Sequence, residues 1–250
     1  MLNRYWRIFA TGLLFILFGI GGTFLTVLLA PILMVTRDGK TRRKYGKKLL
    51  QRSLQLFLWG MQFLGVMEVH VESIQRLKSG RRLILANHPS LIDAVILIPL
   101  IENPNGIIKS SLFKNPSMFG LAKISGLICN QDGHELIRKA IESISSGDNL
   151  LIFPEGTRTK ELNKVSFKPG AAYIAIKGQI NITPVFISTS EPFLRKGFSW
   201  YDVPLKKPIF NIFFGDEVEV ASKIKIDGNL SMESRLLTEY LEELYMHELS

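Results

Sequence analysis

One cysteine in 250 residues, Cys129, excludes an internal disulfide and a cysteine-built metal or redox centre. It lies in an apolar run with no basic residue close in sequence, and reads as a buried small residue rather than a nucleophile. The four histidines, at positions 70, 88, 134 and 247, show no metal-ligand spacing with one another, so no metal and no resident cofactor is expected. No internal repeat and no low-complexity linker breaks the chain. Charge is missing from two long stretches. Ile8 to Thr36 is uncharged over 29 residues, roughly 43 Å as a helix at ~1.5 Å per residue, against a hydrocarbon core of ~30 Å. That is enough for one tilted span or, broken at Gly19, Gly21, Gly22 and Pro31, for an element held within one leaflet. It is too long for the h-region of a cleaved signal peptide. The glycine cluster follows no strand, so it reads as close helix packing and not as a nucleotide loop. Ser53 to Met67 is uncharged over 15 residues, too short to span. With basic residues at its head and Trp59 in its middle, it reads as a helix lying in the membrane interface, with a core helix as the other reading.

The formal charge of +9 is confined to one end. Residues 1 to 52 hold ten basic side chains against Asp38 alone, and the remaining chain is balanced at 21 of each sign. The high pI therefore gives no reason to invoke nucleic acid. A basic cluster beside an apolar segment attracts anionic lipid headgroups. Seven basic residues between Arg37 and Lys48, against Arg4 and Arg7 before the run, place the rest of the chain on the cytoplasmic face of the cell membrane by the positive-inside rule.

Apolar runs at about 82 to 86, 105 to 109, 127 to 130, 149 to 153, 182 to 188 and 209 to 214 predict strands. Helical patterns at 89 to 100, 133 to 146 and 168 to 178 alternate with them. The alternation predicts a single α/β domain over 68–250, with a mixed, largely parallel sheet flanked by helices, behind a membrane-anchoring helical region over 1–67. Leu236, Leu237, Tyr240, Leu241, Leu244 and Tyr245 recur at helical spacing and predict a C-terminal helix packed on the core.

Two strand ends carry the polar chemistry. After Arg82-Leu83-Ile84-Leu85-Ala86 comes Asn87-His88-Pro89-Ser90-Leu91-Ile92-Asp93, with Pro89 suited to a first helical turn. A histidine and an aspartate five apart can meet only if His88 precedes the helix or opens it while Asp93 lies inside. Paired, they form a general base and the carboxylate that orients it. Unpaired, they are a helix-start histidine and an aspartate favoured by the helix dipole. After Leu150-Leu151-Ile152-Phe153 comes Pro154-Glu155-Gly156-Thr157-Arg158-Thr159, a carboxylate, a glycine and a guanidinium on one turn. Gly156 lets a ligand approach the backbone and Arg158 can fork onto a phosphate. Lys168 follows in a segment that opens the next helix. Two polar corners after two apolar strands favour a shared site over separate local contacts.

The spacing from His88 to Asp93, together with Phe153-Pro154-Glu155-Gly156-Thr157-Arg158, resembles the first and third signature blocks of the glycerolipid acyltransferase family, whose type member acylates 1-acyl-glycerol-3-phosphate. Lys109-Ser110-Ser111-Leu112 with Pro116 and Gly120 resembles the second block, and Ile182-Thr183-Pro184-Val185 the fourth, so the resemblance covers about residues 68 to 215. It implies transfer of a fatty acyl group from acyl carrier protein or coenzyme A, as co-substrate, to a lipid hydroxyl. His88 and Asp93 would be catalytic, with Lys109, Glu155, Gly156, Thr157 and Arg158 binding the acceptor. Backbone N–H groups at the helix start after His88 would stabilise the oxyanion. One departure stands out: where the family often ends its second block with an aspartate-arginine pair, this chain has Asn130-Gln131-Asp132 and no arginine. A lysolipid other than 1-acyl-glycerol-3-phosphate becomes a second possibility, and a non-catalytic scaffold that binds lipid or carrier protein a third.

Overall fold

The computed structural model describes residues 2–35, 38–77, 80–130, 133–159, 165–224 and 228–250. Arg37, Gln131 and Asp132 lie outside them, and with them the place of the missing arginine. From the N-terminus, α1 (Leu2–Phe24) runs through a π-helical turn (Leu25–Leu29) into α2 (Ala30–Val35), and α3 spans Gly39–Phe63. Then follow β1 (Glu68–Glu72), β2 (Leu83–Ala86), α4 (Asp93–Leu100), β3 (Pro104–Lys109), α5 (Ser110–Phe113), α6 (Pro116–Ser125), β4 (Ile128–Asn130) and α7 (Gly133–Ser145). The chain closes with β5 (Asn149–Ile152), α8 (Gly170–Gly178), β6 (Ile182–Thr189), β7 (Ile209–Phe214), α9 (Val220–Lys223) and α10 (Leu230–Leu249).

The sheet order is β1-β7-β6-β2-β5-β3-β4. Every pairing is parallel except β6 with β7. The mixed, largely parallel α/β sheet expected from the alternation is present. β2 and β5 lie side by side in its middle, with Leu83 level with Leu150 and Leu85 with Ile152. Both are wholly buried, as continuous apolar strands covered on both faces must be. Alternate β2 residues serve opposite faces. Ile84 and Ala86 join a core with α3, α4 and α6. Leu83 and Leu85 join one with α7, α8 and α10. On that second face the buried Tyr245 hydroxyl donates to Leu85 O at 2.6 Å and accepts from Val185 N at 3.2 Å, so α10 bridges β2 and β6.

Four local expectations need correcting. The segment after Met67 forms β1, whose Glu-Val-His-Val-Glu alternation contains too few apolar residues to register as a run. The uncharged stretch 53 to 67 is not a separate helix: its first eleven residues end α3, which takes in the basic residues 40 to 52. Asp38 caps α3 by accepting from Lys40 N and Thr41 N. The segment has two faces: Leu54, Phe57 and Met61 enter the core, while Leu56, Trp59 and Phe63 stay exposed. Cys129 lies on the edge strand β4 and is half-buried instead of buried. Of the cluster Gly19, Gly21 and Gly22, Gly22 alone shows the expected close packing: a Cβ there would sit 2.5 Å from Ser117 O, whereas Gly19 and Gly21 face open space.

Candidate active site

Both polar corners lie at the carboxyl ends of adjacent parallel strands, where open α/β sheets place their ligands. β2 ends because Asn87 replaces backbone with side chain. Its amide donates to Ile187 O at 2.8 Å and accepts from Ile187 N at 2.7 Å, which continues the ladder with β6 while the main chain turns away. The turn that follows is not helical, contrary to the expectation for Pro89, and α4 begins only at Asp93. Ser90 N donates to Asp93 Oδ2 at 2.8 Å and Leu91 N to Leu194 O at 3.1 Å, so these two N–H groups bind outside any helical ladder. The same bonds take them out of the set that could hold an oxyanion.

This late helix start lets residues five apart meet. His88 Nδ1 lies 2.7 Å from Asp93 Oδ2. Asp93 is fully buried, and its Oδ1 has no hydrogen-bond partner. Burial pushes its carboxyl above the ordinary aspartate value, against the pull of the His88 hydrogen bond, the Ser90 N–H and the Arg158 charge. The imidazole, 18% exposed, stacks on Phe153 with ring centroids 4.1 Å apart and planes 21° from parallel. With Nδ1 bound to the carboxylate, Nε2 is the nitrogen left to exchange a proton with a substrate.

The second corner is built onto the first. Glu155 Oε1 accepts from His88 N and from the Thr159 hydroxyl, each at 2.8 Å, while Thr159 N donates to His88 O at 2.7 Å. Glu155 thus holds the backbone of His88. Gly156 takes φ +65°, a conformation that favours glycine, while a Cβ there would meet only the flexible end of the Lys168 side chain at 3.2 Å. Arg158 Nη1 donates to Leu194 O and Arg195 O, both at 2.9 Å, which commits that nitrogen to the loop after β6. Thr157 Oγ1 accepts from Lys196 Nζ at 3.0 Å. Lys109 ends β3 exposed, two strands from β2 and so about 10 Å along the sheet edge. His88, Asp93, Glu155, Gly156, Thr157 and Arg158 form one cluster, while Lys109 shares only its edge. Reading the sequence did not find Asn87, the Phe153 stack, Thr159 or Lys196. Ser90 is fully buried with its Oγ donating to Phe193 O at 2.8 Å, a hydroxyl already spent on structure.

Burial also pushes the Glu155 carboxyl above the ordinary glutamate value of 4.5, opposed by the His88 N–H and the Thr159 hydroxyl. A carboxyl raised in the folded state favours folding in its protonated form, and that contribution is lost as pH climbs from 4.5 through the raised value. Glu155→Gln cannot ionise, so its Tm should rise relative to the wild type between about pH 4 and about pH 8. A Tm difference that stays constant over this range contradicts the assignment.

Residues 66–188 match the Acyltransferase family model. The chain is 27% identical over 164 residues to the 1-acyl-sn-glycerol-3-phosphate acyltransferase of Saccharomyces cerevisiae, covering 60% of this chain and 54% of that one. With the Helicobacter pylori enzyme of the same name it is 33% identical over 135 residues, or 51% and 57% of the two chains. It spans about half the length of these curated relatives. The crystal structure of the 1-acyl-sn-glycerophosphate acyltransferase PlsC from Thermotoga maritima superposes with a TM-score of 0.71, covering 97% of this chain and 96% of that one at 23% identity. Fold and motif placement define an acyltransferase domain. The chain belongs to the glycerolipid acyltransferase family.

Proposed function

We propose that this chain is a membrane-bound O-acyltransferase that moves a fatty acyl group from acyl carrier protein or coenzyme A to a lysophospholipid hydroxyl. The acceptor best supported is 1-acyl-sn-glycerol-3-phosphate, giving phosphatidic acid. The observation that carries the reading is the 2.7 Å contact between His88 Nδ1 and buried Asp93, which leaves Nε2 as the base at the strand ends. Nε2 takes the acceptor's hydroxyl proton as that oxygen bonds to the thioester carbonyl carbon. The tetrahedral intermediate collapses with cleavage of the C–S bond, and the departing thiolate takes the proton from the imidazolium. Asp93 stabilises the imidazolium in between. Glu155 fixes the backbone of the base, while the remaining donors of Arg158, with Thr157 and Lys109, contact the acceptor.

The region 1–67 is the membrane anchor in this reading. Asn3–Leu28 is long and apolar enough to cross a bilayer. Yet α1 is packed on the domain along its length: Arg4 Nε donates to Val203 O at 2.9 Å near its start, and Thr23 Oγ1 lies 2.9 Å from Ser117 Oγ near its end. Attachment at both ends favours a helix that stays on the domain over one that leaves it to cross the bilayer. Its exposed Phe9, Ile16, Ile20 and Phe24 suit a helix lying in one leaflet on the cytoplasmic side. Between α1, α3 and α6 lies an apolar cavity of about 480 Å³, lined among others by Leu14, Phe18, Leu54, Phe57 and Leu121, a volume that suits a lipid chain.

Mass spectrometry of lipids after incubating the protein in vesicles with labelled acyl donors and a panel of lysolipids tests the acceptor. Phosphatidic acid is the expected product. Another acylated lysolipid would move the acceptor, and no product alongside tight carrier-protein binding would favour a scaffold.

A further inference from the structure

The segment between β6 and β7 exposes four large apolar side chains within eight residues. Phe198, Trp200 and Tyr201 are about half exposed, and Leu205 is 72% exposed. Around them stand Arg195, Lys196, Lys206 and Lys207, the last paired with Glu68, against Glu191 and Asp202, whose carboxylate accepts from Ser199 N at 2.7 Å. Water is a poor solvent for such a tip. Tryptophan and tyrosine with a basic rim are the side chains that settle at the headgroup level of a bilayer.

The loop is continuous with the apolar outer side of α1. Arg7, itself buried, donates from Nη2 to Pro204 O at 2.8 Å and to Leu205 O at 2.7 Å, beside the bond from Arg4 to Val203. The Trp200 ring lies on Gly12 so closely that a Cβ there would be 2.8 Å from Cζ3. The other stem belongs to the active site. Phe193 O accepts from Ser90, and Leu194, at φ +53°, accepts through its carbonyl from Leu91 N and Arg158. A strained left-handed leucine held by two donors is a fixed point and not a hinge.

We propose that residues 191–207 form a second lipid-contacting surface, an aromatic tip with a basic rim that sits in the bilayer interface beside α1 and sets the His88 turn at the lipid surface. The inference rests on the membrane reading above and adds to it a specific loop bonded to the catalytic corner. An acceptor moving laterally in the leaflet would then meet His88 without leaving the membrane.

The test uses the three tryptophans, at 6, 59 and 200. Full-length protein carrying Trp6→Phe and Trp59→Phe, with Trp200 as the only tryptophan, is placed in vesicles whose lipids are brominated near the headgroup end of the acyl chain. A Trp6→Phe/Trp200→Phe protein, retaining Trp59 on α3, is the reference. Trp200 emission should fall in brominated vesicles by an amount comparable to that of Trp59. Quenching of Trp59 with Trp200 untouched would overturn the loop proposal and leave the membrane reading standing. If neither is quenched, both fall. Gly12→Val, which pushes the Trp200 ring off α1, should reduce the quenching of Trp200 and leave that of Trp59 unchanged.

Discussion

Asp93→Asn is expected to keep the fold and lose about 10⁴-fold in turnover, the scale seen when an orienting carboxylate beside a catalytic histidine becomes an amide. Asparagine fits the space, and its oxygen can still accept from Ser90 N and His88 Nδ1. What it cannot do is stabilise the imidazolium that the proposed mechanism forms at His88. It can also turn its amide toward His88, which then presents the wrong tautomer. Stability should move the other way. Asp93 is fully buried with one oxygen unpartnered, so removing its charge removes a desolvation penalty, and the variant should melt at or above the wild-type temperature. Rates of acyl transfer alongside thermal unfolding in detergent check both halves. Turnover within tenfold of wild type would show that the 2.7 Å contact is a structural cap, the bland alternative that the sequence left open.

Lys47→Ala should be strongly destabilising although it lies outside the active site. Lys47 Nζ on α3 lies 2.5 Å from Asp148 Oδ1, with side chains 7% and 11% exposed. Asp148 Oδ2 also accepts from Ser143 Oγ at 2.7 Å, and Asn105 Nδ2 donates to the same hydroxyl at 2.7 Å. This network pins α3 to the start of β5, beneath the strand that delivers Glu155. Burial pushes the Lys47 ammonium down and Asp148 draws it back up. Removing one partner strands the other's charge, at about 3–5 kcal/mol. At ~2–4 °C per kcal/mol for a chain of this size, Tm should fall by roughly 6–20 °C. Lys47→Met with Asp148→Leu removes both charges and should recover most of the loss. A loss below about 1 kcal/mol for Lys47→Ala, the value of an exposed pair, would mean that α3 is a detachable anchor and not a layer of the catalytic fold.

That layer was only half legible in the sequence. β2 and β5 announced themselves because strands buried on both faces are apolar at every position. β1 did not, because its polar residues alternate with two valines at the sheet edge. The break at Arg52 looked like the head of a helix, although charge on one face does not end a helix when Asp38 caps it fourteen residues earlier. The pairing of His88 with Asp93 could be read because it is local. Its supports could not: Glu155 reaches His88 N across 67 residues and Arg158 reaches Leu194 O across 36. A spacing rule carries no information about partners brought in by the sheet order. For the same reason Arg158 read as a free phosphate fork, whereas one of its nitrogens braces the loop after β6.

The role proposed for His88 is to move an acyl group onto a lysophospholipid hydroxyl. It is tested most directly by giving full-length protein in vesicles a labelled acyl thioester and 1-acyl-sn-glycerol-3-phosphate, wild type beside His88→Ala, and following the label into phospholipid. Labelled phosphatidic acid should form with the wild type and fall by a factor of about 10²–10⁴ with the variant, the range for loss of a general base. Equal labelling by both proteins, or no labelled phospholipid from the wild type with any lysolipid, would contradict it.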